Sequence, residues 1–250
     1  MDIMSTDEFE PRTVDKVERL LDLLDEMERH PALKDKLALH GGTAINLFML
    51  DVPRLSVDID VSYIGSVLRE DMLVDRPRIE AGIEAVAQAL GYAVEAHPGG
   101  HAGHTFLLRY RGDWGVDHVK VDCIYMNRSP ILPPVMRETP VRPGAKVRTF
   151  ADAELAAGKV KAFFDRMKVR DLYDVSNLKS VYESFEPDEQ EVAHQLALYY
   201  ASHASQSRSR AGSSASQTDS PSLQTSSTPC SDPRPSARRS RLSWRTPSAS

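Results

Sequence analysis

The sequence predicts an α+β fold in which helices precede and follow a small mixed sheet. Three observations predict it. Apolar residues recur at helical spacing over about residues 13–30. Short alternating or β-branched segments, separated by glycine-rich turns, occupy much of the stretch between residues 37 and 125. Helical periodicity returns beyond residue 152 and continues to about residue 202.

The individual elements follow from these patterns and from the prolines and glycines that interrupt them. In chain order the sequence predicts a helix over 13–30, a strand over 37–40, a glycine turn, a helix over 44–50, a strand over 56–63, a helix over 79–90, strands over 92–95, 105–110 and 116–125, a loop marked by five prolines between 130 and 143, and helices from 152, over 170–183 and over 187–202.

Composition separates the end of the chain from the rest. The 250 residues carry a formal net charge of −5, yet the last fifty hold seven Arg, no Lys, two Asp and 17 Ser. A segment with so few large apolar side chains cannot offset the entropy of ordering, so disorder is predicted there. The predicted segments are an N-terminal helix (1–36), a core (37–148), a helical C-terminal region (149–202) and a disordered Ser/Arg/Pro-rich tail (203–250).

Several protein classes are excluded by the same arithmetic. No apolar run approaches the roughly 20 residues that a membrane-spanning helix needs. The chain has only two cysteines, Cys123 and Cys230, which exclude a disulfide scaffold and a cysteine-based zinc site. The acidic first twelve residues do not resemble a signal peptide. These features predict a cytoplasmic protein with no membrane partner.

The most informative stretch joins a glycine turn to a pair of carboxylates. Gly41 and Gly42 precede Thr43 at a strand-to-helix turn, where a ligand can approach the backbone and a helix start favours phosphate. Asp58, seventeen residues after Gly41, begins a D-x-D pair. The predicted strand over 56–63 places Ser56, Asp58 and Asp60 on one face. Two carboxylates on one face repel unless a cation lies between them, and Mg²⁺ prefers such oxygen ligands.

A second predicted strand repeats this arrangement. Lys120 and Asp122 share one face, while Val119, Val121 and Cys123 share the other. A third carboxylate on a neighbouring strand would complete a two-metal site for displacement at phosphorus. The alternative is an exposed strand face on which Lys120 and Asp122 form a salt bridge.

The helical region contributes cations and two further carboxylates. Asp171 and Asp174, three residues apart, lie on one helix face. The cations would form a basic surface for a triphosphate or an RNA backbone, or else an ordinary solvated helix face. These cations are Lys159, Lys161, Arg166, Lys168 and Arg170.

Together these motifs resemble a known family. GGTA-x-N-x(7)-R-x-S-x-D-I-D, a K-V-D strand followed by N-R-x-P-x-L-P-P, and G-K-V-x-A-x(3)-R-x(3)-R-D-L-Y-D-V occur in that order between residues 37 and 178. The set resembles the AbiEii/AbiGii-type nucleotidyltransferase toxins. This family includes the MenT toxins and has the DNA polymerase β-like nucleotidyltransferase fold, which the resemblance implies for residues 37–148.

The resemblance implies Mg²⁺-dependent transfer of a nucleotide from an NTP to RNA, in MenT-like members to the 3′ end of tRNA. It also implies a toxin–antitoxin or abortive-infection system with an AbiEi-like antitoxin. The implied nucleotide-binding residues are Gly41, Gly42, Thr43, Ser56, Lys159 and Asp171. The implied metal ligands are Asp58, Asp60 and Asp122, which also count as catalytic together with Lys159 and Asp174.

The resemblance leaves several questions open. Asp171 or Asp174 could orient Lys159 or act as a base. Lys159 is expected to be a surface residue, so that Lys159→Ala would lower transfer with little loss of stability. The acceptor could also be a protein hydroxyl. The abrupt change of composition near Tyr200 predicts a truncated or frameshifted end, and such a chain could be catalytically silent and only bind nucleotide or antitoxin.

Overall fold

A computed structural model describes residues 9–100, 102–126 and 128–214 of the chain. The predicted α+β class is confirmed. Within the described ranges, six helices surround a seven-stranded mixed sheet. The elements are α1 (Pro11–Arg29), β1 (Leu37–His40), α2 (Gly41–Thr43), which continues as a π-helix (Ala44–Met49), β2 (Asp58–Tyr63), α3 (Arg69–Ala89), β3 (Ala93–Gly99), β4 (Gly103–Gly112), β5 (Gly115–Ile124), β6 (Val135–Thr139), β7 (Arg142–Thr149), α4 (Asp152–Arg166), α5 (Val169–Ser184) and α6 (Pro187–Ser214).

The sheet order places the two acidic strands side by side. The strands lie in the order β3-β4-β5-β2-β1-β7-β6. β2 pairs parallel with β5 and antiparallel with β1, and in the β2–β5 register Asp60 lies opposite Asp122. The parallel pairing requires a long crossover between β2 and β5, which α3, β3 and β4 supply.

One hydrophobic core joins the N-terminal helix to the sheet. The alternation in β2 and β5 buries their apolar face, including Ile59, Val61, Val119 and Val121. The apolar stripe of α1 packs into the same cluster, so α1 is an integral part of the core. Its buried residues are Val17, Leu20, Leu21, Leu23, Leu24 and Met27.

The prediction of a proline-marked loop between residues 130 and 143 was wrong for most of that stretch, because residues 135–149 form the β6–β7 hairpin. β7 pairs parallel with β1 through Leu39 and Thr149, so the hairpin extends the sheet. Pro140 lies at the turn between the two strands, and Pro143 lies outside their paired positions. Prolines at these positions remove no hydrogen bond from the ladder, which is why they did not prevent strand formation.

The helices also differ from prediction at their ends. α3 begins ten residues before the predicted residue 79, and its first half contains Pro77 and the exposed Leu73 and Val74. That half buries little apolar surface, so its sequence lacks the helical periodicity on which the prediction relied.

The last helix, α6, continues past residue 202, where the sequence predicted the chain to become disordered, and reaches Ser214. Residues 203–214 include Ala, Gln and Arg, which are compatible with a helix. The rest of the predicted tail, residues 215–250, lies outside the described residues. No helix that the structure describes combines the length and apolarity that crossing a membrane requires.

Asp117 attaches α1 to β5 and gives the fold a testable pH dependence. Burial alone would raise the pKa of Asp117, but hydrogen bonds from the His118 amide, Arg12 and Lys16 outweigh it. They lower the pKa from its ordinary value of 3.8 to about 2. The ionised Asp117 carboxylate therefore stabilises the folded chain fully above its ordinary pKa of 3.8. This stabilisation is lost as the pH falls toward about 2, the pKa of Asp117 in the folded chain.

We expect Asp117→Asn to lower the free energy of unfolding at pH 6 but to have little effect near pH 2. Urea unfolding at a series of pH values measures this difference. Asp113→Asn, at an exposed turn position, is the control. Parallel stability curves for Asp117→Asn and the unmodified chain would contradict the assignment.

Candidate active site

The turn after β1 needs glycine for two separate reasons. Gly41 has φ +74°, and a Cβ atom built on it would lie only 2.5 Å from Asp60 Oδ2. A Cβ atom on Gly42 would lie 3.1 Å from Ser56 Oγ and 3.2 Å from Arg54 Nη2. The backbone of the turn therefore lies directly against Asp60 and against the segment that leads into β2.

Thr43 fixes this arrangement from inside. Its hydroxyl lies 3.1 Å from Ser56 Oγ and donates a hydrogen bond to the main-chain oxygen of Asp58. The side chain is completely buried. Thr43 thus holds the turn against β2, and any contact with a nucleotide would come from its backbone.

The structure brings Asp58, Asp60 and Asp122 to adjacent positions on neighbouring strands. Asp58 and Asp60 lie on one face of β2, and Asp122 lies opposite Asp60 on β5. Lys120 Nζ lies 2.7 Å from Asp122 Oδ2, and Thr105 Oγ1 donates to Asp122 Oδ1 at 2.6 Å. Lys120 is therefore the cation closest to Asp122.

The nearby lysines do not fully neutralise the negative charge of Asp58, Asp60 and Asp122. Burial and the neighbouring Asp122 and Asp58 raise the pKa of Asp60 to about 6, and Lys120 and Lys159 offset only part of this increase. The pKa of Lys120 is raised because the hydrogen bond and charge of Asp122 outweigh burial. An additional cation near Asp60 would relieve this repulsion.

The carboxylates fit a hard divalent cation in chemical type. All three offer oxygen donors, and the raised pKa of Asp60 indicates a place where positive charge is favourable. Within the described ranges, no three His, Cys, Asp or Glu side chains converge closely enough to hold a metal ion. Both oxygens of Asp122 are engaged by Lys120 and Thr105, so this carboxylate would have to exchange its partners to act as a ligand.

His40, which precedes the glycine turn, is a feature that the sequence analysis did not single out. It lies opposite Asp60 in the β1–β2 ladder, and its ring packs 5.4 Å from that of Phe150. Burial lowers the pKa of His40 to about 4, so the imidazole is neutral at pH 7. Its position directly before Gly41 was the only signal in the sequence.

The predicted surface lysine, Lys159, is a buried member of an ion-pair network, which corrects the sequence analysis. Its side chain is only 6% exposed, and its Nζ lies 2.7 Å from Asp174 Oδ2 and 3.3 Å from Asp171 Oδ1. Both aspartates are completely buried. The predicted common face of Asp171 and Asp174 is thus occupied by Lys159.

Asp174 receives donors from three separate segments. Arg54 binds it through two nitrogens, at 2.8 Å for Nε and 2.7 Å for Nη2. Asn46 Nδ2 lies 3.2 Å from Asp174 Oδ1 and 2.9 Å from the Gly42 carbonyl oxygen. Neither Arg54 nor Asn46 was predicted from the sequence to have a role, although both lie within the motif that carried the resemblance.

These contacts determine the charge state of Asp174. Burial would raise its pKa, but hydrogen bonds from Arg54 and Lys159 and their positive charges outweigh burial and lower it. A fully buried carboxylate that accepts four hydrogen bonds is poorly placed to accept a proton from a substrate. The geometry therefore favours an orienting role for Asp174 over a role as a base.

The predicted basic surface is smaller than its five cations suggested. Lys159 is buried, Lys161 pairs with Asp165 at 2.6 Å, and Arg166 pairs with Asp171 at 2.9 Å. Of these five cations, only Lys168 and Arg170 are exposed and form no ion pair with a described residue.

Several solved structures resemble this chain, among them the following three. A protein from Helicobacter pylori described as a candidate nucleotidyltransferase has a TM-score of 0.50 and 15% identity, covering 82% of this chain and 98% of its own. JHP933 from H. pylori has a TM-score of 0.48 and 13% identity, with 83% and 97% covered. The antibiotic-resistance factor ANT(2'')-Ia has a TM-score of 0.45 and 15% identity, with 80% and 98% covered. At such identities the first likeness shows a common fold only. No curated protein sequence matches the chain.

A family match agrees with the motifs. The sequence model described as "Nucleotidyl transferase AbiEii toxin, Type IV TA system" matches residues 22–242. The match includes the glycine turn, the three strand carboxylates and the helices that hold Lys159 and Asp174, and it extends into the predicted tail. The chain therefore belongs to the AbiEii family of nucleotidyltransferase toxins from type IV toxin–antitoxin systems.

Proposed function

We propose that this nucleotidyltransferase moves an NMP group from an NTP to the 3′ hydroxyl of an RNA, with tRNA as the preferred acceptor and Mg²⁺ as the metal. One observation carries the proposal. Three carboxylates on adjacent parallel strands lie beside a glycine turn that begins a helix, and the turn packs against one of them, Asp60. This combination suits displacement at phosphorus, in which positive charge must be held against a triphosphate.

Each residue then has a distinct task. Asp58 and Asp60 would hold Mg²⁺, which neutralises charge on the triphosphate oxygens when it is bound. The backbone of Gly41–Thr43 would bind phosphate oxygens at the helix start. The acceptor hydroxyl oxygen attacks the α-phosphorus and the bond to the leaving pyrophosphate breaks. Asp122, once released from Lys120, would accept the hydroxyl proton.

The buried network would position the nucleotide. Asp174 and Asp171 hold Lys159 in one place, and Asn46 ties Asp174 to the Gly42 carbonyl group. Arg54 Nη2 lies 3.2 Å from the position that a Cβ atom on Gly42 would occupy, so the guanidinium group is next to the turn. We infer that Lys159 and Arg54 contribute fixed positive charge to phosphate binding, since preorganised charge needs no reorganisation during reaction.

The family supplies the biological setting in outline. A type IV toxin–antitoxin system provides an antitoxin partner, and a nucleotidyltransferase uses an NTP. We propose an AbiEi-like antitoxin, a cytoplasmic location and a role in phage defence. The RNA acceptor is supported by the exposed cations Lys168 and Arg170 at the junction of α4 and α5.

The central test is transfer of a labelled nucleotide. We expect the chain, incubated with each labelled NTP, Mg²⁺ and total cellular RNA, to label small RNA. Asp58→Asn/Asp60→Asn should lower transfer by about 100-fold or more, since metal polarisation supplies several kcal/mol of transition-state stabilisation. Its melting temperature should stay unchanged or rise, because the substitutions remove repulsion between the carboxylates.

The control variant is Asp113→Asn, which changes an exposed carboxylate in the β4–β5 turn. Ribonuclease should remove the label. Label that resists ribonuclease and migrates with a protein would assign a protein hydroxyl as acceptor. NTP binding without transfer to either acceptor would identify a catalytically silent chain.

Burial of Lys159 leads to a second prediction. Lys159→Ala leaves Asp171 and Asp174 without their shared cation, so we expect a loss of about 3–5 kcal/mol in the free energy of unfolding. Lys161→Ala, on the same helix but paired at the surface, should cost less than about 1 kcal/mol. Equal losses in urea unfolding would show that Lys159 is not a buried ion-pair member.

A further inference from the structure

An exposed apolar surface lies where α4 meets α5. We call residues 164–173 the α4–α5 elbow. Five of its ten residues are large apolar side chains with exposures between 44% and 84%. Apolar surface concentrated in this way marks interaction sites more often than chance exposure. These residues are Phe164, Met167, Val169, Leu172 and Tyr173.

Met167 shows that the elbow is not optimised for folding alone. It ends α4 in a left-handed conformation with φ +50°, and its amide donates to the Phe163 carbonyl oxygen at 2.7 Å. Glycine is the usual residue at such a position, and another residue there is strained. The chain instead carries a methionine that is 62% exposed.

The elbow also carries positive charge in an acidic protein. Lys168 and Arg170 are exposed, and neither forms an ion pair within the part of the chain that the structure describes. Arg166 is 43% exposed and pairs with Asp171 through one nitrogen. A polyanion would meet less repulsion here than over most of the acidic surface.

The elbow lies next to the candidate active site. The inner sides of its two helices hold Lys159, Asp171 and Asp174. Tyr173 donates a hydrogen bond to the Pro53 carbonyl oxygen at 3.1 Å, so it contacts the segment that precedes Arg54. Beyond Tyr173 a groove of about 290 Å³ runs between α5 and that segment, with Asn177, Ser180 and Ser184 among its lining residues.

We propose that the α4–α5 elbow binds the single-stranded end of the RNA acceptor. Phe164, Tyr173 and Met167 would contact bases, and Lys168 and Arg170 would contact phosphates. Interleaved cations and aromatic rings are typical of single-strand binding surfaces, whereas the centre of a protein interface is depleted of charge. The proposal rests on the RNA acceptor of the proposed function and adds the surface that recognises it.

The test measures binding of fluorescein-labelled bulk tRNA to the full chain. We expect Lys168→Glu/Arg170→Glu to raise the Kd for tRNA about tenfold or more. The slope of log Kd against log salt should fall by about 1.4, the value for two lost contacts on a single strand. The Kd for a fluorescent NTP with Mg²⁺ should not change.

The matched control reverses two cations elsewhere. Lys34→Glu/Lys179→Glu changes the net charge equally, at exposed positions outside the elbow, and should change the Kd for tRNA less than twofold. Met167→Gly separates binding from folding. It should leave the melting temperature unchanged or higher, because glycine tolerates φ +50°, and should still weaken tRNA binding.

The possible results are distinguishable. If the unmodified chain binds tRNA and the elbow and control variants bind it equally well, the elbow proposal is overturned while the RNA acceptor stands. If the unmodified chain binds NTP but no tRNA, the RNA acceptor fails and the elbow proposal fails with it. If the α4–α5 elbow binds another protein and does not bind tRNA, the proposal is also contradicted.

Discussion

Asp174 is a completely buried carboxylate, and four hydrogen-bond donors offset the cost of burying its charge. Arg54 supplies two of them, Lys159 supplies one and Asn46 supplies one. These partners come from the segment before β2, from α4 and from the π-helix, so one carboxylate joins the sheet to the C-terminal helices. Removing Arg54 or Lys159 would leave the buried carboxylate with one cation instead of two, which is more costly than losing a surface pair.

The sheet imposes the second constraint. Because β2 and β5 are parallel neighbours with Asp60 opposite Asp122, the two carboxylates are held next to each other. Burial makes the repulsion between them stronger. Gly41 brings backbone against Asp60 where any side chain would collide. The molecule thus maintains a concentration of negative charge beside a turn suited to phosphate. That arrangement costs stability, and it is useful if a cation and a triphosphate meet there.

The strand motifs were predictable from the sequence, whereas the buried network was not. Alternation in β2 and β5 identified the face that carries Asp58, Asp60 and Asp122, because strand periodicity is a local property. Lys159 was expected at the surface, because local spacing does not show that Asp171 and Asp174 surround its ammonium group. Arg54 lies 120 residues from Asp174 in the chain, so no local pattern could connect them. The β6–β7 hairpin was missed because its prolines resemble loop signals.

The most direct measurement is a crystal structure of the chain with Mg²⁺ and a non-hydrolysable NTP. We predict metal density at Asp58 and Asp60, phosphate oxygens on the backbone of Gly41–Thr43, and Asp122 released from Lys120. We also expect Asp174 to keep Arg54 and Lys159 in place beside the phosphates. A nucleotide bound away from the glycine turn, or a metal that avoids the β2 carboxylates, would contradict this prediction.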